Sequence, residues 1–444
     1  MEFSVTNKEL EAFREAFRKE RGNRAAMAAV TNAGINGAAK NQEVFRSVTH
    51  EFSLSLDPGK VTAQKQSGRC WMFAAMNVLR YHLMHSMNLD NFELSQNYTL
   101  FYDKLEKSNY FLENILETLE EPTEGRLIGW LLKSPLGDGG QWDMICSLIM
   151  KYGVVPKYVM PETAVSSMTK EMNGYLTEKL REFACRLRRE FREGKPAEEL
   201  RAEKEEMLKT IYRILCICLG EPPERFDFEV TGKDHVFHRE CGLTPQEFYK
   251  KYIGLDLTEY VSLINAPTKD KPFHRSYTVK YLGNVREGRQ VRYLNLEIEE
   301  LKRVAIRQMQ DGFPVWFGCD VGKCSSREDG VMDLNMYNLK DMFDTEFAMT
   351  KAERLDYGQS KMSHAMVFQG VNLDENGKPN RWRVENSWGE ERGKDGFFVM
   401  SDAWFDEYMY QVVVKKCYLT EEERNEYEAD PVVLEPWDPM GALA

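Results

Sequence analysis

The chain lacks several features that would place it in a membrane, in a secretory pathway or on nucleic acid. Its 444 residues contain no apolar run of membrane-spanning length, and the first twenty lack the apolar core of a signal peptide. It also lacks excess positive charge, since 71 acidic residues against 59 basic ones give a net charge of −12. This balance argues against nucleic acid or an anionic membrane as the main partner.

The chain also lacks the residue spacings typical of disulfides, metal sites and nucleotide sites. Its nine cysteines are an odd number and thinly spread, which indicates reduced thiols and a cytoplasmic protein. The histidine pairs His82/His85 and His235/His238 have no third ligand at a recognised spacing. A serine nucleophile elbow, a phosphate-binding loop and a dinucleotide fingerprint are missing too. We therefore expect no metal and no cofactor.

The most informative stretch runs from Gln64 to Ala74 and places Cys70 between a polar loop and an apolar run. We expect Cys70 to begin a buried helix, where unpaired backbone N–H groups and the helix dipole favour the thiolate nucleophile. Gln64 carries an amide that, together with the Cys70 N–H, provides two donors for an oxyanion. Taken alone, this stretch also fits a structural cysteine that opens a core helix.

Two later strings supply the partners of a cysteine nucleophile. His364 directly precedes a short strand-like run, and Asn386 follows another. If the two strands are neighbours, the imidazole can deprotonate Cys70 and later protonate a leaving amine. The Asn386 oxygen would then fix the imidazole tautomer, and Trp388 would shield that hydrogen bond from water.

The order Gln, Cys, His, Asn and the local strings around these residues resemble the papain-like cysteine proteases. The string Gln-x-x-Ser-Gly-Arg-Cys-Trp, the long chain between Cys70 and His364, and the ending Glu-Pro-Trp-Asp-Pro-Met-Gly-Ala-Leu-Ala are similar to the bleomycin hydrolase and aminopeptidase C branch. The resemblance extends from about Val61 to the C-terminus. It implies an α+β fold with a helical lobe and a β-rich lobe, an inserted helical subdomain, and a C-terminal arm.

The resemblance also implies several substrate-binding residues. Gly139 and Gly140 match a glycine pair that lines the cleft on the substrate's N-terminal side, although an ordinary glycine turn is an equal alternative. Trp388 would lie beside the substrate. The branch threads its C-terminus into its own cleft, so the carboxylate of Ala444 would pair with the substrate's α-ammonium. A frayed terminus is the alternative for this end. The branch forms a ring-shaped homohexamer.

The pattern of helices and breaks divides the chain into five predicted segments. They are an N-terminal extension (1–60), the helical lobe (61–163), an inserted helical and mixed subdomain (164–290), the β-rich lobe (291–425) and the C-terminal arm (426–444). Within the extension, a capping box from Thr6 to Glu9 followed by Leu10, Phe13 and Phe17 predicts a helix packed on the body.

Together these features predict a cytoplasmic cysteine aminopeptidase that acts on peptides with a free N-terminus, and on bleomycin-like amides, without a cofactor. A cysteine endopeptidase or acyl transferase of the same fold is one alternative. A non-enzymatic oligomeric scaffold or nucleic-acid-binding protein is the other, although the full set of catalytic groups argues against it.

Overall fold

The structure, a computed structural model, describes residues 3–443. Its helices, numbered in chain order, are α1 (Asn7–Lys19), α2 (Arg21–Ala39), α3 (Gln42–Ser47), α4 (Cys70–Ser86), α5 (Gln96–Glu117), α6 (Arg126–Lys133), α7 (Trp142–Tyr152), α8 (Lys170–Arg192), α9 (Ala197–Leu219), α10 (Pro245–Phe248), α11 (Ile298–Gln310), α12 (Leu339–Phe343), α13 (Lys351–Asp356), α14 (Asp402–Tyr408) and α15 (Glu421–Glu428).

The strands form one large sheet and one separate hairpin. They are β1 (Leu54–Ser55), β2 (Phe226–Thr231), β3 (Phe237–Leu243), β4 (Tyr260–Ile264), β5 (Arg275–Val279), β6 (Tyr293–Asn295), β7 (Val315–Cys319), β8 (Ser325–Ser326), β9 (Val331–Met332), β10 (His364–Leu373), β11 (Pro379–Glu385), β12 (Phe397–Ser401), β13 (Met409–Lys415) and β14 (Val432–Leu434). The fold is therefore α+β, as the sequence predicts.

Helix α4 is the centre of the helical half of the molecule. Every residue from Cys70 to Met84 except His82 is buried, because the apolar run covers all sides of the helix rather than one stripe. Its first turn is tied to the sheet, since the Trp316 indole N–H on β7 donates to the Trp71 carbonyl at 3.1 Å. The N-terminus of α4 therefore lies at the boundary between the helical half and the sheet.

The large sheet has twelve strands in the order β14-β5-β6-β4-β13-β7-β10-β11-β12-β9-β8, with β1 paired to β10. Its central strands β7, β10 and β11 are antiparallel neighbours, and His364 at the start of β10 lies opposite Cys319 at the end of β7. Strand β11 ends at Glu385, directly before Asn386. The ladder thus brings the two predicted partners to one edge of the sheet.

The charged middle of the chain, in the segment predicted to be helical and mixed, forms a helical hairpin. Helices α8 and α9 are each 23 residues long and bury one face, which includes Leu176, Leu180 and Leu187 on α8. Strands β4 and β5, which also fall within segment 164–290, join the large sheet instead. The five-segment division stays a prediction.

The N-terminal helix forms as predicted, but its predicted packing on the body is wrong. Thr6 and Glu9 make both hydrogen bonds of the capping box, yet α1 has no buried residue. Phe13 is 60% exposed and Phe17 is 42% exposed. The apolar face is present, as its helical spacing requires, but within one chain it has no partner surface that covers it.

No helix within residues 3–443 is both long and apolar enough to span a membrane.

Candidate active site

Cys70 is the first residue of α4, and its side chain is 3% exposed. The backbone N–H groups of Ala365, Trp71 and Cys70 itself lie near the thiol and lower its pKa. The first of these follows His364 directly on β10, so the sheet edge and the helix N-terminus meet at the thiol. The loop before it is held by the Gly68 N–H, which donates to the Asp138 carboxylate at 2.9 Å.

The ionisation of the two groups is governed by burial. Burial raises the pKa of Cys70 to about 11, against the N–H groups that lower it, and lowers the pKa of His364 to about 4. The N–H groups at the helix N-terminus lower the pKa of Cys70, as expected, but desolvation by burial outweighs them. Proton transfer from Cys70 to His364 would create two opposite charges that attract each other.

His364 and Asn386 form the predicted pair. The imidazole Nε2 lies 2.9 Å from the Asn386 Oδ1, and the two residues are 4% and 1% exposed. The Ser387 N–H also donates to that oxygen at 2.8 Å, which fixes the amide with its oxygen toward the ring. Nε2 therefore carries the proton, and Nδ1 keeps the lone pair that can accept a proton from the thiol.

Gln64 is held close to this pair by Ser387, a residue whose role the sequence analysis missed. The Ser387 hydroxyl donates to the Gln64 Oε1 at 2.6 Å, and the Gln64 backbone N–H donates to the Ser387 carbonyl at 2.8 Å. One N–H of the Gln64 amide donates to the Ser67 carbonyl. Its second N–H remains available for an oxyanion beside Cys70.

Trp388 covers the imidazole. The centroid of its ring lies 4.8 Å from that of the His364 ring, and the two rings are tilted by 34°. The Arg327 guanidinium lies 4.0 Å from the centroid of the Trp388 ring. This packing keeps water from the hydrogen bond between His364 and Asn386. Its predicted contact with substrate stays a prediction.

The glycine pair follows Asp138 and lies under the first turn of α4. A Cβ atom on Gly140 would come within 2.5 Å of the Trp71 ring, so this position requires glycine for packing. The Gly139 carbonyl accepts a hydrogen bond from the Lys107 ammonium at 2.7 Å. The role of both glycines in lining the cleft stays a prediction.

The C-terminal arm reaches the same region. The Gln141 side-chain N–H donates to the Ala442 carbonyl at 2.7 Å, and the Tyr293 hydroxyl donates to the Met440 carbonyl at 3.2 Å. Asp438 pairs with the buried Lys271 at 3.0 Å. Ala444 lies outside the described residues, so its predicted role at the substrate's N-terminus stays a prediction.

The sequence analysis also missed two ionic features that hold the site in place: Asp138, and the ion pair of Arg80 with Glu385. Asp138 sits under the loop before Cys70, next to the glycine pair that drew attention in the sequence. Arg80 on α4 pairs with Glu385 at 2.7 Å, and both side chains are almost fully buried. This pair joins the nucleophile helix to the strand that leads into Asn386. Neither group belongs to a recognised sequence pattern, so only the fold reveals it.

Residues 3–443 contain no group of three or more His, Cys, Asp or Glu side chains placed to hold a metal ion. The chemistry that the site supports is nucleophilic attack by sulfur, with an imidazole as the proton carrier and an amide that orients it. Fold and site together define a cysteine peptidase.

The comparisons with known proteins identify the family. Residues 4–441 match the Peptidase C1-like family, and the chain belongs to it. It is 50% identical to aminopeptidase C of Listeria monocytogenes over the whole length of both proteins. It is 42% identical to bleomycin hydrolase of Rattus norvegicus, with 93% of this chain and 90% of that protein aligned. The crystal structure of PepW from Lactobacillus rhamnosis HN001 matches the whole chain with a TM-score of 0.98 and 51% identity.

Proposed function

We propose that the chain is a cysteine aminopeptidase that removes N-terminal residues from peptides, and hydrolyses bleomycin-like amides, through a thioester intermediate. Cys70 attacks the scissile carbonyl carbon while its proton passes to His364, which then protonates the leaving amine. Water attacks the thioester, His364 accepts a proton from it, and the acid and the free thiol are released. The observation that carries the proposal is the meeting of the Cys70 thiol with the start of β10, where His364 lies next to Asn386.

The oxyanion would be held by Gln64 and the backbone N–H of Cys70. Both donors are fixed before substrate arrives, Gln64 through Ser387 and the N–H through the first turn of α4. Donors that need no reorganisation at the moment of reaction stabilise the developing negative charge more effectively than water does. Asn386 acts on the reaction only through the imidazole that it orients.

The C-terminal arm would restrict the enzyme to exopeptidase activity. Its contacts at Gln141 and Tyr293 support a position at the N-terminal side of the substrate, where it would block longer peptides. A negative charge at its end would attract the substrate's α-ammonium and orient the first peptide bond over the thiol. The partners are therefore peptides with a free N-terminus.

The test is cleavage of one peptide in free and N-acetylated form by the full-length chain and by a chain that stops after Met440. We expect the full-length enzyme to cleave only the free peptide and the truncated enzyme to cut the acetylated peptide internally as well. The same truncation carrying Cys70→Ala is the control for contaminating peptidases. Cleavage of the acetylated peptide by the full-length enzyme would contradict the aminopeptidase assignment and favour an endopeptidase. Transfer of the acyl group to an added amine would favour a transferase.

The assembly would be a cytoplasmic homo-oligomer, a hexamer as in the branch that the chain resembles. The exposed apolar side chains of the N-terminal segment support a second copy of the chain as the partner, because so many of them are costly to leave in water. They are Phe3, Val5, Leu10, Phe13, Phe17, Met27 and Ile35, each at least 38% exposed. The net charge of −12 supports peptides rather than nucleic acid as ligands.

A further inference from the structure

A cavity of about 410 Å³ opens beside the active-site loop. One wall is the loop from Gln64 to Gly68, a second wall includes Asp138 and Lys170, and the third is formed by Arg327 and Trp388. None of the described residues of the C-terminal arm lines it. The cavity therefore offers space for substrate that the arm does not fill.

The wall with Trp388 and Arg327 marks this cavity as the place of the leaving group. His364 gives its proton to the leaving amine, so the part of the peptide after the scissile bond departs on the imidazole side. Trp388 packs on that imidazole, and the Arg327 guanidinium packs on the outer face of Trp388 at 4.0 Å. The residues that follow the cleaved bond would therefore pass Arg327.

The cavity carries three cationic side chains that no carboxylate compensates. Lys65, Lys170 and Arg327 make no ion pair within 4.0 Å among residues 3–443. The two acidic residues next to Arg327 are engaged elsewhere, since Glu328 faces Arg392 and Asp329 binds Lys40. In a chain with a net charge of −12, a local group of unpaired cations is a specific feature and not a consequence of composition.

The one carboxylate in the lining does not neutralise these cations. Asp138 accepts hydrogen bonds from Gly68 and Thr169 on one oxygen, and from Lys104 and Asn173 on the other. Burial alone would raise its pKa, but Lys104 and these hydrogen bonds hold the pKa well below its usual range. Its charge is thus balanced from behind by Lys104, and the cavity as a whole presents positive charge to a ligand.

We propose that Lys65, Lys170 and Arg327 bind a carboxylate on the leaving side of the substrate, and so make the enzyme select peptides that carry a negative charge just after the scissile bond. This inference rests on the proposed peptidase function. The carboxylate is either the α-carboxylate of a short peptide or the side chain of an Asp or Glu residue that follows the bond. Three exposed cations would act together on one anion, because each alone is largely screened by water.

The experiment compares kcat/KM for matched peptides that share the same N-terminal leucine. Leu-Ala against its C-terminal amide tests the α-carboxylate, and Leu-Asp-amide against Leu-Asn-amide tests the side chain. We expect the charged member of at least one pair to be preferred roughly tenfold at low salt, with the preference reduced at 0.5 M NaCl. Equal rates within both pairs would overturn the proposal without needing any variant.

The triple variant Lys65→Gln, Lys170→Gln, Arg327→Gln then assigns the effect to the cavity. We expect the triple variant to lose most of the preference for the charged peptide. The preference is the ratio of the kcat/KM values that one enzyme shows for the two peptides of a pair. Lys209→Gln, an exposed lysine on α9, is the matched control and should keep the wild-type ratio. A triple variant with an unchanged ratio and a normal melting temperature would also overturn the proposal. If free peptides are not cleaved at all, the proposed function fails instead, so the two failures are distinguishable.

Discussion

At the scale of single residues, the site depends on one amide oxygen. Asn386 Oδ1 accepts hydrogen bonds both from the His364 ring and from the Ser387 N–H, which sets the tautomer of the base. Ser387 in turn holds Gln64 through its hydroxyl. The base and the predicted oxyanion donor are thereby fixed by two neighbouring residues of one turn after β11.

We expect Cys70→Ala to abolish peptide cleavage, with a loss of at least roughly a thousandfold in kcat/KM, because no other group can form the thioester. The melting temperature should stay near that of the wild type, since alanine fits where cysteine begins the helix. Cys185→Ala, on the exposed surface of α8, is the matched control and should keep full activity. Near-normal activity of Cys70→Ala would refute the mechanism.

The acid limb of the pH profile should report His364. Burial lowers its pKa to about 4, so the imidazole stays neutral and able to accept the thiol proton well below the usual histidine range. We expect kcat/KM to fall only as the pH drops toward 4, with the protein still folded by circular dichroism. An acid limb near pH 6.5 would contradict this prediction.

The variant Asn386→Ala provides the comparison for that measurement. The hydrogen bond to Asn386 raises the pKa of His364 against the effect of burial. Its removal should shift the acid limb to still lower pH and reduce kcat, because the imidazole loses the partner that fixes its tautomer. A purely structural role of Asn386 would lower the rate without moving the limb.

At the scale of elements, the site lies where α4 meets the ends of β10 and β11. The buried pair of Arg80 and Glu385 joins these elements at 2.7 Å, and Arg80 also donates to the Lys60 carbonyl at 2.6 Å. Gln369 on β10 donates to the second Glu385 oxygen at 2.6 Å. A shift of the helix against the sheet would break the contact of Arg80 with Glu385, so the pair fixes the position of the nucleophile relative to the base.

We expect Arg80→Met to destabilise the protein by about 3–5 kcal/mol, because it leaves the Glu385 carboxylate buried without its counter-charge. Urea denaturation followed by tryptophan fluorescence measures the change in midpoint. Adding Glu385→Gln to this variant should restore part of the loss, since the buried charge is then removed. Glu385→Gln alone gives the reference. If this substitution destabilises the Arg80→Met variant as much as it destabilises the wild type, the two side chains do not interact as the structure indicates.

At the scale of the whole molecule, the surface of one chain is incomplete at its N-terminus. Helix α1 presents Phe13 and Phe17 to solvent, and no residue of the helix is buried. An apolar helix face of this kind is stable in water only when another surface covers it. This is the structural basis for the proposed homo-oligomer.

The double variant Phe13→Lys, Phe17→Lys should lower the mass of the assembly in sedimentation velocity experiments, since two charges would be buried in the interface. Because no residue of α1 is buried within one chain, the dissociated form should stay folded. The control for added charge is Glu11→Lys, at an exposed position of the same helix. An unchanged mass in the double variant would refute the proposed interface.

The stability of the molecule should also depend on the charge state of Lys351. Burial lowers the pKa of this ammonium to about 7, while in the unfolded chain it keeps the usual value near 10.5. Between these values the unfolded state binds more protons, so the free energy of unfolding should rise with pH, by at most about 1.4 kcal/mol per pH unit. Lys351→Met should lack this rise between pH 7 and 10 when the two proteins are compared by urea denaturation. Parallel curves for both would contradict the assignment.

The sequence by itself determined the class of the protein and its catalytic residues as candidates. The strings around Cys70, His364 and Asn386 carry short-range information: a helix start, two strand ends and the chemistry of three side chains. The capping box of α1 was predictable for the same reason, since it depends on residues close together in the chain. The aminopeptidase family followed from these strings, and the comparisons confirm it.

Only the tertiary structure decided what depends on residues far apart in sequence. The pairing of β10 with β7 and β11, the joining of β4, β5 and β6 to the same sheet, and the exposure of α1 result from packing that no local pattern encodes. Burial also outweighs the pKa-lowering effect of the helix N-terminus on Cys70, because desolvation depends on everything packed around the thiol. Distant segments of the chain also form the ion pair of Arg80 with Glu385 and the cationic cavity at Arg327. The sequence does not show either one, because the charge that balances a side chain belongs to its neighbours in space.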